Sequence, residues 1–328
     1  MSVLAWNCRG LGTPPAIRTL TEEVKNQNPV VVFLAETKAN TERMKGFQQK
    51  IGLTQGIIVP SDGMSGGLAM LWREGTDIRF KSCSHSHIDV VVHGESKGGP
   101  WRISGFYGHP DTSKRQSSWQ LIEALHAQSE MPWVVCGDFN EILHPHEKLG
   151  WRDRDAYQIR SFREVLSKCG LVDLGFVGQK FTWCNGRHGE QRTLLRLDRM
   201  VANDAWLLLF PEAKVFHVSM STSDHCLLAL SLNKVQQQKK KKKRFMFEAM
   251  WVREAECKEV VDMAWNSYIE DSDMPIQERI ERCQRNLRGW NQNKFGNVAK
   301  NLKQKQDRLH QLESLNLLHD TAVEISEV

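Results

Sequence analysis

A succession of short apolar runs, each closed by a turn residue or an acid, restricts the fold of this 328-residue chain more than any other feature. The runs SVLAW, VVVFLAE, GIIVP, GLAMLW, HIDVVVH, WRISGFYG, WVVCGDF, HVSM and CLLALSL are brief, rich in β-branched residues and bounded by Gly, Pro, Asp or Ser. Such runs make buried strands rather than helices. Between them lie stretches at helical spacing: Ile17, Leu20 and Val24 within 14–27, and similar patterns over 119–128 and 157–169. Strands with helices inserted among them predict an α/β fold of sheets packed face to face with helices outside, not a strict alternation around one parallel sheet.

The pattern changes after Asn233. Residues 234–244 offer almost nothing apolar to pack and end in the basic run 239–244, so they read as a linker between a domain at 1–233 and a helical segment at 245–328. That run outweighs the net charge of +5, which leaves the rest of the chain close to neutral. Generic attraction for a phosphate backbone is therefore concentrated in one short segment, and the domain before it must recognise its substrate by particular contacts. Solvated linker, nuclear-import signal and backbone-binding arm are all open readings of the run. Further on, Ile280, Cys283, Leu287 and Trp290 form a helical stripe that Val298, Leu302, Leu309 and Leu312 continue, with Gly289 and Gly296 expected to break or kink it. The apolar side of this segment is expected to meet a helical partner, another domain or the front domain. The eight cysteines contain no Cys-x-x-Cys pair and several lie inside apolar runs, which predicts reduced, buried thiols. The opening MSVLAWNCRG is too short and too soon polar for a secretory signal, and no stretch approaches the roughly 20 apolar residues of a spanning helix. An intracellular protein away from membranes is expected.

Five clusters put polar groups where apolar strands end. In Trp6-Asn7-Cys8-Arg9-Gly10 a strand gives way to an amide free to face a cleft. Phe33-Leu34-Ala35-Glu36-Thr37-Lys38 delivers a carboxylate that suits either a surface turn or a hard cation. Trp133-Val134-Val135-Cys136-Gly137-Asp138-Phe139-Asn140 sets an acid and an amide two residues apart, on one side if the chain stays extended, or in an Asx-type turn. A carboxylate that accepts a proton from water beside an amide that donates to a phosphate oxygen suits attack on phosphorus. Arg196-Leu197-Asp198-Arg199-Met200 and Ser223-Asp224-His225-Cys226 add further acids and an imidazole, and a carboxylate beside an imidazole raises its basicity and fixes its tautomer.

The order of these groups, with Tyr107 in Phe106-Tyr107-Gly108, resembles the endonuclease/exonuclease/phosphatase superfamily of the DNase I-like fold over residues 1–233. The wording WNCRGLG, LAETK, GDFNEIL, FTWCNG, RLDRMVAN and SDHCLL is similar to the endonuclease domain of plant LINE-type non-LTR retrotransposons. FMFEAMW and GWNQNKFGNV resemble the connector that precedes reverse transcriptase in those elements, and the chain is expected to stop short of that domain. The resemblance implies a four-layer sandwich of two mixed sheets flanked by helices, followed by a helical tail, and a Mg²⁺-dependent endonuclease that nicks DNA. Mn²⁺ is the expected substitute ion, and the nucleus the expected site of action. Glu36 and Asp224 would hold the metal with Asn7 close by. Asp138 would position or deprotonate water, Asn140 would donate to the scissile phosphate, and His225, oriented by Asp198, would stabilise the charged transition state. Tyr107 would assist at the phosphate or the leaving oxygen. Ends bearing a 3′-hydroxyl and a 5′-phosphate are expected.

Two departures stand against the family pattern. Arg9 occupies a position where many relatives carry an acid or amide; it cannot ligate a cation and can touch phosphate instead, which leaves open whether one metal or two is bound. Tyr107-Gly108-His109-Pro110-Asp111 lacks the usual amide after the tyrosine. The rival readings are another phosphoesterase of this fold, acting on abasic sites, RNA ends or inositol phosphates, and an inactive element-derived nucleic-acid binder. The pairs His85/His87 and His144/His146 lack a third metal ligand and read as exposed loop residues. The tryptophans read as core, except Trp151 in Gly150-Trp151-Arg152-Asp153-Arg154, a candidate DNA-contacting loop.

Overall fold

The computed structural model describes residues 1–63, 65–93, 99–187, 189–232, 245–266, 275–294 and the single positions 296, 304, 305 and 308. The basic run 239–244 and residues 298, 302, 309 and 312 of the stripe lie outside these. In chain order the strands are β1 (Ser2–Asn7), β2 (Val31–Ala35), β3 (Gln55–Val59), β4 (Leu68–Trp72), β5 (Asp77–Ser84), β6 (His87–His93), β7 (Trp101–Tyr107), β8 (Trp133–Asp138), β9 (Lys148–Leu149), β10 (Val172–Asp173), β11 (Val177–Gly178), β12 (Trp183–Cys184), β13 (Leu194–Leu195), β14 (Asp198–Ala202), β15 (Lys214–Val218) and β16 (Leu227–Ser231). The helices are α1 (Pro14–Gln27), α2 (Thr41–Ile51), α3 (Arg115–His126), α4 (Ala156–Lys168), α5 (Asp204–Leu209), α6 (Ala255–Asn266) and α7 (Ile276–Lys294). Two large sheets run β11-β15-β16-β1-β2-β4-β3 and β10-β14-β8-β7-β6-β5, and a small one runs β12-β13-β9. Parallel pairs β1/β2 and β7/β8 among antiparallel neighbours make both large sheets mixed, as expected.

The period-2 alternation of side chains assigns every strand residue to a layer. Val3 and Ala5 of β1, Val31 and Phe33 of β2, and Leu68 and Met70 of β4 face Ile103, Val134, Cys136 and Met200 of the other sheet in one shared core. Their alternates Leu4, Trp6, Val32, Leu34, Ala69 and Leu71 pack with α1 and α2. On the far side Trp133, Val135 and Val201 meet α3 and α4 through Trp119, Ile122, Phe162 and Val165. The result is the four-layer sandwich. Helix α1 starts on Pro14, where a missing N–H costs nothing, buries Ala16, Leu20 and Val24, and stops at Asn28 in the left-handed region.

Two glycines let the sheets approach at one end. A Cβ on Gly105 would lie 2.1 Å from the Phe33 ring, and one on Gly137, whose φ is +138°, would lie 2.1 Å from the Phe106 carbonyl oxygen. Phe33, fully buried, sits over this gap from the opposite sheet.

Three expectations need correction. His87 is a buried strand residue, bonded through its ring nitrogens to Ser82 and Ser84, because β6 is flanked on both sides in its sheet. Gly289 does not break the stripe, since α7 runs through it to Lys294. The stripe also finds its cover locally: Leu287 and Trp290 pack with Trp251, Cys257, Val260 and Val261 of the same unit, residues 236–328, so the expected helical partner is not supported. His85, His144 and His146 are exposed as expected, and all eight cysteines are free, Cys83 exposed among them.

Gly105→Ala is expected to destabilise the chain by about 1–3 kcal/mol, because a methyl in that niche must displace the Phe33 ring. Urea unfolding of the variant, alone and combined with Phe33→Leu, reads this; equal midpoints for wild type and Gly105→Ala would mean the sheets are not held at this distance.

Candidate active site

The open end of the inter-sheet core is where the polar residues gather. Asn7 is the next residue on the face that carries Val3 and Ala5, Tyr107 follows Ile103 and Gly105, Asp138 follows Cys136, and Asp198 precedes Met200. Strand alternation therefore aims all four into the gap between the sheets. Pairing sets them level, since Asp138 stands opposite both Tyr107 and Asp198 in its sheet. Glu36 has the wrong parity to join them, following Ala35, which faces the core; a left-handed φ of +51° turns it back. Asn140, at φ +54°, is likewise turned. The extended conformation thus stops at Asp138, and Asn140 meets that acid through an Asx turn: its backbone N–H donates to Asp138 Oδ1 at 2.8 Å and its Nδ2 to Oδ2 at 3.3 Å.

A continuous set of contacts joins the groups. Asn7 Nδ2 donates to Glu36 Oε1 and to Asp138 Oδ2, each at 3.0 Å, and Tyr107 OH donates to Glu36 Oε1 at 2.9 Å. His225 Nδ1 lies 2.9 Å from Asp198 Oδ2 while Nε2 points at Asp138 Oδ2 from 3.8 Å. Asp224 joins through neighbours. Arg9 pairs with its Oδ2, Arg9 N–H donates to Asn7 Oδ1 at 3.2 Å, and Ser223 Oγ donates to the Asn7 carbonyl at 2.9 Å. All eight residues expected at the site are thus in one network.

Burial sets the charges. Asp138, 1% exposed, is pushed up to about 6 by burial and by the nearby Asp198 carboxylate. Burial opposes a charge on His225 too, yet Asp198 and Asp138 together raise it to about 9. The imidazole is therefore a cation at neutral pH, between two buried acids. Burial also works against ionised Glu36, but hydrogen bonds from Asn7 and Tyr107, with the charges of Lys38 and His225, together outweigh it and lower its pKa.

Among the described residues one trio of metal-ligating side chains converges. The ligand atoms of Asp138, Asp198 and His225 lie within 4.8 Å of one another, but His225 and Asp198 already satisfy each other. Glu36, Asp224 and Asn7, the ligands expected from the sequence, carry oxygen donors of the kind that suits a hard cation. Among the described residues Asp224 Oδ1 is buried without a hydrogen-bond partner, while Oδ2 accepts from Trp183 Nε1 at 2.8 Å and from Arg9. A buried carboxylate oxygen left unpaired is costly, and a metal ion relieves that cost.

Several supporting residues escaped the reading of the sequence. Trp183 is not simply core: it is half-buried, bonded to Asp224 and bridged to His225. Thr182 Oγ1 accepts from the backbone N–H groups of Leu197 and Asp198, fixing the start of β14. Buried Glu141 receives Arg115 at 2.6 Å and Arg154 at 2.8 Å, and Arg154 also donates to the Asn140 carbonyl at 2.7 Å. FTWCNG and GDFNEIL contain the first two and Glu141, but no spacing ties them to partners that only folding brings near.

Comparison with known proteins follows the geometry. A search of curated proteins finds no match. Among solved structures, the 3′-5′ exonuclease NExo from Neisseria meningitidis superposes with a TM-score of 0.56 at 17% identity, covering 70% of this chain and 99% of that one. The endonuclease domain of TRAS1, a telomere-specific non-LTR retrotransposon, gives 0.53 at 15% identity, with 70% and 96% covered. The AP endonuclease LMAP from Leishmania major gives 0.53 at 17%, with 70% and 86% covered. These likenesses speak to the fold. The sequence profile of the Endonuclease/Exonuclease/phosphatase family matches residues 4–225, and the chain belongs to that family.

Proposed function

We propose that this chain is a divalent-metal-dependent endonuclease that hydrolyses a phosphodiester of DNA and leaves a nick with a 3′-hydroxyl and a 5′-phosphate. The observation that carries the reading is the junction of Asn7, Glu36, Tyr107, Asp138, Asn140, Asp198 and His225 at the open end of one core, with the unpaired Asp224 oxygen beside it. Glu36 and Asp224, with Asn7 alongside, would hold Mg²⁺ or Mn²⁺, which would supply charge neutralisation at the phosphate and the departing oxygen. Asp138 accepts the proton of the attacking water, a task to which a carboxyl near 6 is matched. Asn7 and Asn140 hold that carboxylate in place through its two oxygens. His225, kept charged and oriented by Asp198, stabilises the negative charge that grows on the phosphoryl oxygens. Tyr107 steadies Glu36. DNA as substrate is supported by the likeness to the retrotransposon endonuclease domain and to an enzyme of this fold bound to a product DNA hairpin. No helix among the described residues is long and apolar enough to cross a membrane.

Conversion of supercoiled plasmid to the nicked form, with Mg²⁺ and with chelator, tests the reading; an abasic oligonucleotide, an RNA and an inositol phosphate serve as competing substrates. Nicking is expected with metal only, and Asp138→Ala and His225→Ala are each expected to lower it by about 10³-fold or more, because base, charge and metal act as a unit. Cleavage of a competitor with no nicking would overturn the choice of DNA. The rate should rise as pH passes about 6, where Asp138 loses its proton, and fall above about 9, where His225 loses its own, the limbs belonging to the coupled cluster. Asp198→Asn removes the strongest support for the imidazolium, so its alkaline limb should move to lower pH; a limb that stays put would deny Asp198 that role.

A further inference from the structure

Arg9 departs most sharply from an all-oxygen metal site. It follows Asn7 by two residues, in a turn with φ +49° at Arg9 and +113° at Gly10. That turn is held by the Arg9 N–H on Asn7 Oδ1. The guanidinium crosses to Asp224, 215 positions away in sequence, and pairs with Oδ2. The two ends of the pair differ in environment: the Arg9 side chain is 55% exposed and that of Asp224 only 17%. An exposed arginine thus reaches down onto a sunken carboxylate whose second oxygen has no partner. The other proposed ligand also has a cation beside it, but a looser one: Lys38 Nζ stands 3.6 Å from Glu36 Oε2, beyond the usual length of a charged hydrogen bond.

We propose that Arg9 is the resident counter-cation of Asp224, giving up that carboxylate when the divalent ion enters and carrying its guanidinium to the phosphate that is cut. The proposal rests on the metal-dependent reading of the site. Three facts favour it. A monovalent cation and a divalent one on a single carboxylate repel each other, so occupancy by one weakens the other. A half-exposed arginine on a long side chain can leave its partner at little cost, as exposed ion pairs are weak. A guanidinium presents a planar fork of donors that matches phosphate oxygens, which neither an acid nor an amide at this position can do. Arg9 would then act as a substrate-binding residue that supplies positive charge at the site without being a metal ligand, and a single divalent ion suffices.

The test is Mn²⁺ binding by the full chain, followed through the free-ion paramagnetic resonance signal, in wild type, Arg9→Ala, Arg9→Lys and Glu36→Gln. Arg9→Ala should bind Mn²⁺ about fivefold tighter than wild type, the effect of one weak ion pair removed from competition. At saturating Mn²⁺ the same variant should show a raised KM for plasmid DNA, and Arg9→Lys should restore part of the competition but little of the DNA affinity. Arg9→Ala with unchanged or weaker Mn²⁺ binding overturns the proposal and leaves the metal site standing. Wild-type binding that survives Glu36→Gln undiminished removes the metal site itself, and the proposal with it. Because Arg9 is exposed, thermal unfolding of Arg9→Ala should match wild type, so a binding change reports on competition and not on folding.

Discussion

The Asn7 amide ties the two large sheets together. One N–H₂ group donates at 3.0 Å to Glu36 in its own sheet and at 3.0 Å to Asp138 in the facing one. Packed sheets ordinarily stand about 10 Å apart, with side chains filling the space. For two short polar side chains to meet across that gap, the sheets must be drawn close and water kept away, and Phe33 lodged over Gly105 and Gly137 meets both conditions. The acids of the site are buried for that reason, and so their charges are perturbed.

Burial makes the charge balance strict. Asp138 and Asp198 are each 1% exposed, and two carboxylates sunk side by side would repel strongly unless a cation stood between them. His225 fills that place and steadies both charges, while burial and the neighbouring Asp198 carboxylate outweigh it at Asp138 and leave that acid weak enough to take a proton. Around this centre the supporting bonds come from remote parts of the chain. Thr182 holds the start of β14, Arg115 and Arg154 clamp Glu141 beside Asn140, and Trp183 and Arg9 share one oxygen of Asp224. The left-handed backbone at Arg9, Glu36 and Asn140 belongs to the same arrangement, since non-glycine residues hold that conformation only where surrounding structure imposes it.

Much of this was legible from strand alternation. Wherever an apolar run ended in a polar residue of core parity, as at Asn7, Tyr107 and Asp138, the side chain did reach the gap. Helix α1 began and ended where its proline and apolar spacing said. Other features left no local mark. Strand β5 is an edge strand, mostly exposed, so it shows no apolar alternation. Helix α2 does bury Met44, Phe47 and Ile51 at helical spacing behind an Asn40 cap, but polar neighbours dilute the stripe. Glu36 faces the site only through a backbone turn that parity argues against, and the Glu141 clamp joins residues 26 and 13 positions apart with no periodic signal. In residues 245–328 the stripe through Leu287 was plain, while the identity of its cover, Trp251 and Cys257, depended on how the chain folds back.

Convergence of the oxygen donors on one divalent ion is the claim most open to direct measurement. Anomalous diffraction at the manganese edge, from crystals of the chain grown with Mn²⁺ and a phosphorothioate duplex that resists cleavage, locates the ion without reference to activity. A peak bonded to the carboxylates of Glu36 and Asp224, with Asp138 and His225 beside the phosphorus, is the predicted result. A peak held by Asp138, Asp198 and His225, or no ion near Glu36, would contradict it.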